Sequence, residues 1–478
     1  MSKMSINFWA AVVVALAALG ARGAEPGAAP LLRVGIVSDI HVQHPCDEAG
    51  KGGGASTATF EKALKYFREK GVDAVVVAGD LTEYGRVREL EASGIAWNRV
   101  FPGDKGLDGK TVAKLFIRGN HDKMGGLPAW AKPKDAPENE PLIRDDPAAA
   151  FAKALGITDY APIMVREVKG YTFVLVNWES ENAAATWLAE HAAELPADKP
   201  FFYVQHAHPS GTNLSSHTPR VTEELRKHPN AVAFSGHSHF SISLGSQIWQ
   251  EEFTAVGTGC LQYMWNSAGR DNCWSMGKGQ VGHAPRASAM GRQGLLMEVY
   301  GDRIVLERRE FLTDKDVGPD WVVPLDGTKP YAWENQKART TPPVFAEDAV
   351  VAAARKKAKN RNGEEEMQVQ LTFPRPLPAV GDSGRTVEYE AVAFRPEDGE
   401  EKPLLARRAF AEKYFLADEF LAPTGLVCFA ESEFPEGAKV RFAVRAMDCW
   451  ERKGPPIYGE IVANPGDAEN PRQQTSAE

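Results

Sequence analysis

The chain has 478 residues, 43% hydrophobic and 25% charged, the proportions of a folded globular protein with more than one domain. Its 64 acidic against 55 basic residues give a net charge of −9, which argues against long nucleic acid as a partner, because such binding relies on neutralising many phosphates with Lys and Arg. A small phosphate ester stays open, since bound cations attract one phosphate whatever the sign of the whole protein.

Residues 1–23 have the pattern of an export signal, with Lys3 as the positive start, an apolar run from Phe8 to Leu19 and small residues at Ala21-Arg22-Gly23. The apolar run is short for a spanning helix, although an uncleaved anchor is the alternative. No later stretch is long and apolar enough to span, so the mature protein is expected to be soluble and exported, in the periplasm or outside the cell. Five cysteines suit an oxidising compartment without demanding a disulfide scaffold, and Cys260 with Cys273 and Cys428 with Cys449 are the pairs to test. None forms a C-x-x-C zinc pattern.

From residue 31 the chain alternates strand and helix. Arg33 to Ser38, Ala74 to Ala78, Val112 to Ile117, Phe201 to Val204 and Ala231 to Phe234 are short, mostly apolar runs, as expected of strands buried on both faces. Thr57 to Lys70 carries Phe60, Leu64 and Phe67 at helical spacing and stops at Gly71; Asn182 to Leu195 reads likewise. Gly125 to Pro147 and Gly257 to Gln293 break the rhythm as long loops, and such loops in a compact domain are usually functional or disordered. In the second loop, Met264, Trp265 and Trp274 are expected either to pack on a substrate or to anchor the loop, with Arg270 or Arg292 meeting the substrate phosphate. Strands Gly294 to Val299 and Arg303 to Phe311 close this domain. Residues 313–365 read as a Pro-rich connector followed by a helix or linker over Ala346 to Asn362. Residues 366–464 read as short alternating strands with Pro and Gly turns, a small β-sandwich with some likeness to fibronectin type III domains. It holds no catalytic constellation, so it docks to a surface or polymer or simply stabilises its neighbour. The tail 465–478 reads as disordered.

Chemistry gathers where the first strands end. Asp39-Ile40-His41, Gly79-Asp80, Gly119-Asn120-His121-Asp122, Gln205-His206-Ala207-His208 and Gly236-His237-Ser238-His239 each follow one apolar run directly. Ligands bind outside the carboxyl ends of strands in open α/β sheets, because the loops leaving that edge converge on a crevice. Carboxylates, an amide and imidazoles suit zinc, manganese or iron(II). Seven candidates, Asp39, His41, Asp80, Asn120, His206, His237 and His239, are too many for one tetrahedral ion, and a bridging Asp80 would hold a pair roughly 3.5–4 Å apart. Each block alone is weak, since Gly, Asn and Asp also build ordinary turns; their order and their strand context carry the reading.

Together the five blocks resemble the calcineurin-like metallophosphoesterase superfamily, whose pattern runs D-x-H, G-D, G-N-H-[DE], a His after a strand, and G-H-x-H. The resemblance covers residues 31–244, and more loosely the strands to about 312. It implies an α/β fold, a layered sandwich of two β-sheets flanked by helices, here over 31–312 with the C-terminal β-sandwich added. It also implies that Asp39, His41, Asp80 and His239 hold one divalent ion while Asp80, Asn120, His206 and His237 hold the other. His121 would face the substrate phosphate and orient it or protonate the leaving oxygen, and Asp122 would orient a neighbouring imidazole. His206 is chosen over His208 as ligand because it is the first His after its strand; His208 either touches substrate or is a solvated loop residue. His44 and Cys46 follow the first block and are candidates for the pocket lining. Where the purple acid phosphatase branch has an iron-ligating Tyr, this chain has Glu83, so a colourless manganese, zinc or ferrous site is expected.

The resemblance implies attack on phosphorus by a metal-bridging hydroxide, with both oxygens of an in-line displacement clamped by the ions. The expected activity is phosphodiester hydrolysis, with a phosphomonoesterase or nucleotidase of the same fold as the alternative. A non-enzymatic surface binding protein is a competing class that need not carry two ions. A covalent phosphatase using Ser38 lacks a Gly-x-Ser-x-Gly frame.

Overall fold

The computed structural model describes residues 29–43, 54–128, 140–212, 219–266, 270, 272, 274–275, 282–283, 291–360, 364–377 and 384–461. The expectations for the leader at 1–23, for His44, Cys46 and Cys273, and for the tail after Pro465 fall outside them. No helix among the described residues is long and apolar enough to cross a membrane.

Strands β1 (Leu32–Val37), β2 (Ala74–Ala78) and β3 (Ala113–Ile117) are parallel neighbours in a seven-stranded sheet. Gln293–Val299 runs antiparallel to β1 and Arg303–Glu310 pairs beyond it. The second, six-stranded sheet takes β4 (Ile163–Val168), β5 (Tyr171–Val176), β6 (Phe201–Val204), β7 (Ala231–Ser235), β8 (Ile248–Gln250) and β9 (Thr254–Gly257), in the order β4-β5-β6-β7-β9-β8. Successive side chains of each strand point to opposite faces. Thus Val34, Ile36 and Val76 meet Phe173, Phe202 and Phe234 between the sheets. Their neighbours Val37, Val75 and Val77 face outward onto Phe60, Leu64 and Phe67 of helix α1 (Gly54–Lys70) and Leu90 and Trp97 of helix α2 (Val87–Val100). Val174, Val176 and Tyr203 do the same beneath Ala184 and Leu188. The runs are apolar without alternation because both faces are covered, and the result is four layers, helix, sheet, sheet, helix.

Two boundaries differ from those expected. The stretch expected as a connector contributes Trp321–Pro324, which pairs with Arg303–Glu310 and buries Trp321 in the intersheet core. The two-sheet domain therefore continues past 312, through the helix Trp333–Arg339. The Ala- and Lys-rich stretch expected as a helix or linker instead forms the strand Ala352–Lys359, paired antiparallel with Glu365–Pro374 over its whole length. Helix-favouring residues yield here to tertiary pairing. Ala353 is buried, while the lysines stand at the edge, where their charge discourages pairing with another chain.

The C-terminal unit is a β-sandwich of antiparallel sheets of three and four strands. No disulfide joins Cys428 to Cys449. Its core is shared with the two-sheet domain: Leu244, Cys260 and Met264 pack in one cluster with Phe410, Tyr414 and Phe415. Polar contacts pin the same seam. Gln293 Nε2 donates to the Phe415 carbonyl at 2.6 Å, and its Oε1 accepts from the Ile242 amide at 2.9 Å. Asn272 exchanges two 2.8 Å hydrogen bonds with the backbone of Phe410, like a short strand pair.

Candidate metal centre

All five motif blocks leave the carboxyl ends of β1, β2, β3, β6 and β7, so their loops meet at one edge of the two sheets. The first two are laced together, with Asp39 N donating to Gly79 O at 3.0 Å and Ile40 N to Asp80 O at 2.8 Å. Asp39, His41, Asp80, His237 and His239 all have positive φ, between 48° and 65°. Side chains rarely accept that backbone, and when they do the surrounding structure must hold them there, as at functional sites. The glycine of one block is sterically required: a methyl group on Gly119 would overlap the Asp80 carboxylate. Gly119→Ala is therefore expected to displace Asp80 and lower the metal content of the purified protein, measured by elemental analysis, without preventing folding.

Atoms each roughly 2.1 Å from one ion must lie roughly 3–3.5 Å apart, and the donor spacings can be compared with that. Asp39, His41, Asp80 and His239 bring one ligand atom each within 4.8 Å of one another. His239 Nε2 is 3.0 Å from Asp39 Oδ1 and 3.2 Å from His41 Nε2, and His41 Nε2 is 3.6 Å from Asp80 Oδ2. Beside them, His206 Nε2 is 3.1 Å from both Asp80 Oδ2 and Asn120 Oδ1, and His237 Nδ1 is 2.9 Å from Asn120 Oδ1. Asp80 belongs to both sets. The donors fit divalent cations in number, type and spacing.

The ring tautomers agree with this. A carbonyl can only accept, so His206 Nδ1 donates to Ala78 O at 2.7 Å and His239 Nδ1 to Tyr263 O at 3.1 Å, leaving Nε2 of each ring with its lone pair toward the cluster. His41 Nδ1 donates to Glu83 Oε2 at 2.7 Å with the same result. Electrostatics tie the cluster together. Burial opposes ionisation of Asp39, but His239 and His41 hold its carboxyl well below the usual range. Burial opposes protonation of His206, but Asp80 and Asp39 lift it to about 9. His237 goes the other way, to about 3, through burial and the neighbouring His206 charge.

His121 lies at the edge of the cluster, half-buried, with its ring edge-on to His41 at 4.5 Å. Its Nδ1 donates to Glu83 O at 2.8 Å, which leaves Nε2 for other contacts. Asp122 differs from expectation. It bonds to no imidazole among the described residues; one carboxylate oxygen accepts from Thr82 N and Oγ1 at 2.9 and 2.8 Å, and the other from Gly119 N at 2.8 Å. It braces the second and third loops against each other, and the carboxylate that orients an imidazole is that of Glu83. The sequence offered Glu83 only as the residue replacing a tyrosine.

Three further expectations are corrected. His208 is buried and neither solvated nor at the mouth, with Nε2 3.0 Å from Ser238 Oγ. Arg270 forks onto Glu388 of the β-sandwich through two 2.8 Å bonds, so it fastens the domains together and does not meet the site. Arg292 is 7% exposed and sits near Cys260, behind the ligands, where burial lowers its pKa. Met264 is likewise buried in the shared core, while Tyr263 and Trp265 stand 4.4 and 6.2 Å from the His239 ring. The opposite wall escaped sequence reading: a cavity of about 450 Å³ is lined by Lys123, Trp178, Glu179 and Asn182 beside Asn120 and His237. No motif marks these residues.

Residues 32–241 match the family described as calcineurin-like phosphoesterase. The match spans less than half of the chain and takes in all five donor blocks. The calcineurin-like domain is thus a metallophosphoesterase, a hydrolase of phosphoester bonds on a fold that uses divalent metals. Among solved structures it is similar to a dimetal phosphatase from Danio rerio, at 11% identity over 62% of this chain and 99% of that one, with a TM-score of 0.36. A purple acid phosphatase from yellow lupin, Lupinus luteus, shares 13% identity over 61% of this chain and 53% of that one, with a TM-score of 0.36. A conserved protein from Streptococcus pneumoniae TIGR4, described as a predicted phosphoesterase, shares 11% over 61% and 97%, with a TM-score of 0.29. No curated protein matches the chain.

The turn beside the calcineurin-like site also carries a pH signature. Glu89 is buried and accepts from the amides of Tyr84 and Arg86; burial pushes its carboxyl up to about 7, against the pull of those amides and Arg86. The folded protein thus keeps a proton that the unfolded chain loses near 4.5. The stability this proton contributes is complete below that value and is lost as pH rises to about 7. Glu89→Gln is expected to flatten this part of the melting-temperature profile.

Proposed function

We propose that the protein is an exported phosphodiesterase that uses two divalent cations, manganese, zinc or iron(II), with Asp80 shared between them. The position of Asp80 Oδ2, 3.6 Å from His41 Nε2 on one side and 3.1 Å from His206 Nε2 on the other, is the observation that supports this reading. Such cations, when bound, would supply an acidified water and a polarised phosphate. Asp39, His41 and His239 would hold one and Asn120, His206 and His237 the other. His121, anchored through Nδ1, would present Nε2 to the phosphate and hand a proton to the leaving oxygen. A diester is preferred over a monoester for two reasons. The Trp178 cavity offers room for a second substituent, and Glu83 keeps a carboxylate close to His41 and His121, which disfavours the extra charge of a monoester. Export rests on the pattern of residues 1–23, and the β-sandwich is proposed to dock the enzyme to a surface or polymer as well as to support it.

The test is hydrolysis of bis(p-nitrophenyl) phosphate beside p-nitrophenyl phosphate, with manganese and after chelation. Cleavage of the diester in preference to the monoester, abolished by chelator and restored by metal, is the expected outcome. Faster monoester cleavage would replace the reading with a phosphomonoesterase. No turnover by folded protein carrying two ions per chain would point to a binding role.

A further inference from the structure

Trp178 stands at the second donor set, its ring 5.5 Å from that of His237 and 5.8 Å from that of His206. It is only half-buried, so part of the indole borders the cavity whose floor is Asn120 and His237. Around it lie the exposed side chains of Lys123 and Asn182. The two acids lining the same cavity are held by partners. Glu179 takes Arg118 Nη2 at 2.6 Å and the Tyr160 hydroxyl at 3.0 Å, and Glu181 accepts the amides of His206 and Ala207 at 3.0 and 2.9 Å. An aromatic face, an amide able to donate and accept, and an ammonium group therefore surround a space that begins at the ligands themselves. An acyl chain would leave these polar groups without partners. A flat heteroaromatic ring uses all three, by stacking on the indole, pairing its edge with the amide and placing its phosphate between Lys123 and the donor sets.

We propose that this cavity binds the nucleoside of a nucleotide phosphodiester, with Trp178 as the stacking platform and Asn182 and Lys123 as polar contacts. This rests on the hydrolase reading above and names its substrate class. The spacing suits it, because one sugar separates a base from its phosphate and the indole lies one ring away from His237. Two substrates with the same leaving group isolate the effect: thymidine 5′-(p-nitrophenyl phosphate) and methyl p-nitrophenyl phosphate. The wild-type protein is expected to favour the thymidine ester in kcat/KM. Trp178→Ala should lower that preference about tenfold or more, chiefly through KM, and Trp178→Phe should keep most of it. Trp187→Ala, half-buried against His191 at 4.3 Å and outside the cavity lining, serves as the control. Metal content is measured for each variant, and Asn182→Ala, at an exposed position, supplies the comparison if Trp178→Ala does not fold. An unchanged preference in Trp178→Ala or Asn182→Ala protein that keeps its metal would overturn the proposal. Calorimetric titration with thymidine 5′-monophosphate separates the two readings. Binding that is lost in Trp178→Ala, by a protein that cleaves neither ester, would sink the hydrolase reading and keep the nucleoside site; cleavage of both esters with no preference would do the reverse.

Discussion

Replacing Asp80 with alanine is expected to lower phosphoesterase activity by more than about 100-fold and to cut the metal bound per chain at least in half. Changes to residues that merely hold a metal ligand in place already cost about 10–100-fold in metal affinity or activity, and Asp80 lies against candidate ligands of both sets. Its Oδ2 lies 3.1 Å from His206 Nε2 and 3.6 Å from His41 Nε2, and its Oδ1 accepts the His121 amide at 2.8 Å. One substitution therefore removes a donor from each set and loosens the loop that carries His121. Fold stability without metal should also change. His206 is lifted to about 9 because Asp80 and Asp39 face it from within a buried site, and without Asp80 that charge loses its main partner. Elemental analysis alongside kinetics is the check; a variant that keeps two ions per chain and loses only activity would mean that Asp80 acts on the substrate and is not shared between cations.

Phe415→Ala is expected to cost about 3–5 kcal/mol of stability, the range for truncating a buried phenylalanine, and to lower metal retention although the residue lies in the other domain. Phe415 is fully buried and packs in one cluster with Leu244, Cys260 and Met264 of the catalytic domain, while its carbonyl accepts from Gln293. Met264 follows Tyr263, whose carbonyl anchors His239 Nδ1. A cavity at Phe415 is thus two steps of packing away from a ligand ring. Chemical denaturation should show one transition for both domains in the wild-type protein and the same single transition, shifted, in the variant. Two separate transitions, with the metal centre melting independently of the substitution, would show that the sandwich is only tethered.

Most of the catalytic scaffold is legible in the order of the amino acids. Residues such as Ala74 to Ala78 and Phe201 to Val204 are apolar at every position because both faces of each sheet are covered, and so short an apolar run between turn residues is too brief for a buried helix. The donor residues directly behind each run are legible for a related reason: a strand's end has a fixed direction, so short motifs there must converge. The positive φ of five donors is not legible, because it comes from loops packed against one another and not from the local sequence. Nor is the strand Ala352–Lys359, whose local composition favours helix and whose pairing partner lies beyond the next turn.

Side chains outside the motifs show the limit most clearly. Arg270 and Arg292 lie in a loop that follows the last motif, and nothing local distinguishes an arginine that meets a phosphate from one that grips Glu388 across a domain seam. The role expected of Asp122 likewise falls to Glu83, because only the packing of the loops against each other brings the Glu83 carboxylate to His41 Nδ1 and places that of Asp122 on the amides of Thr82 and Gly119. Hydrophobic period and short motifs at strand ends are local properties of the chain, and they were enough to predict the layered scaffold, the family resemblance and the residues that gather at one edge of the sheets. Which rings face inward, that Trp178 walls the cavity, and that the β-sandwich shares a core with the metal-site loop emerged only from the folded molecule, since each depends on contacts between residues far apart in the chain.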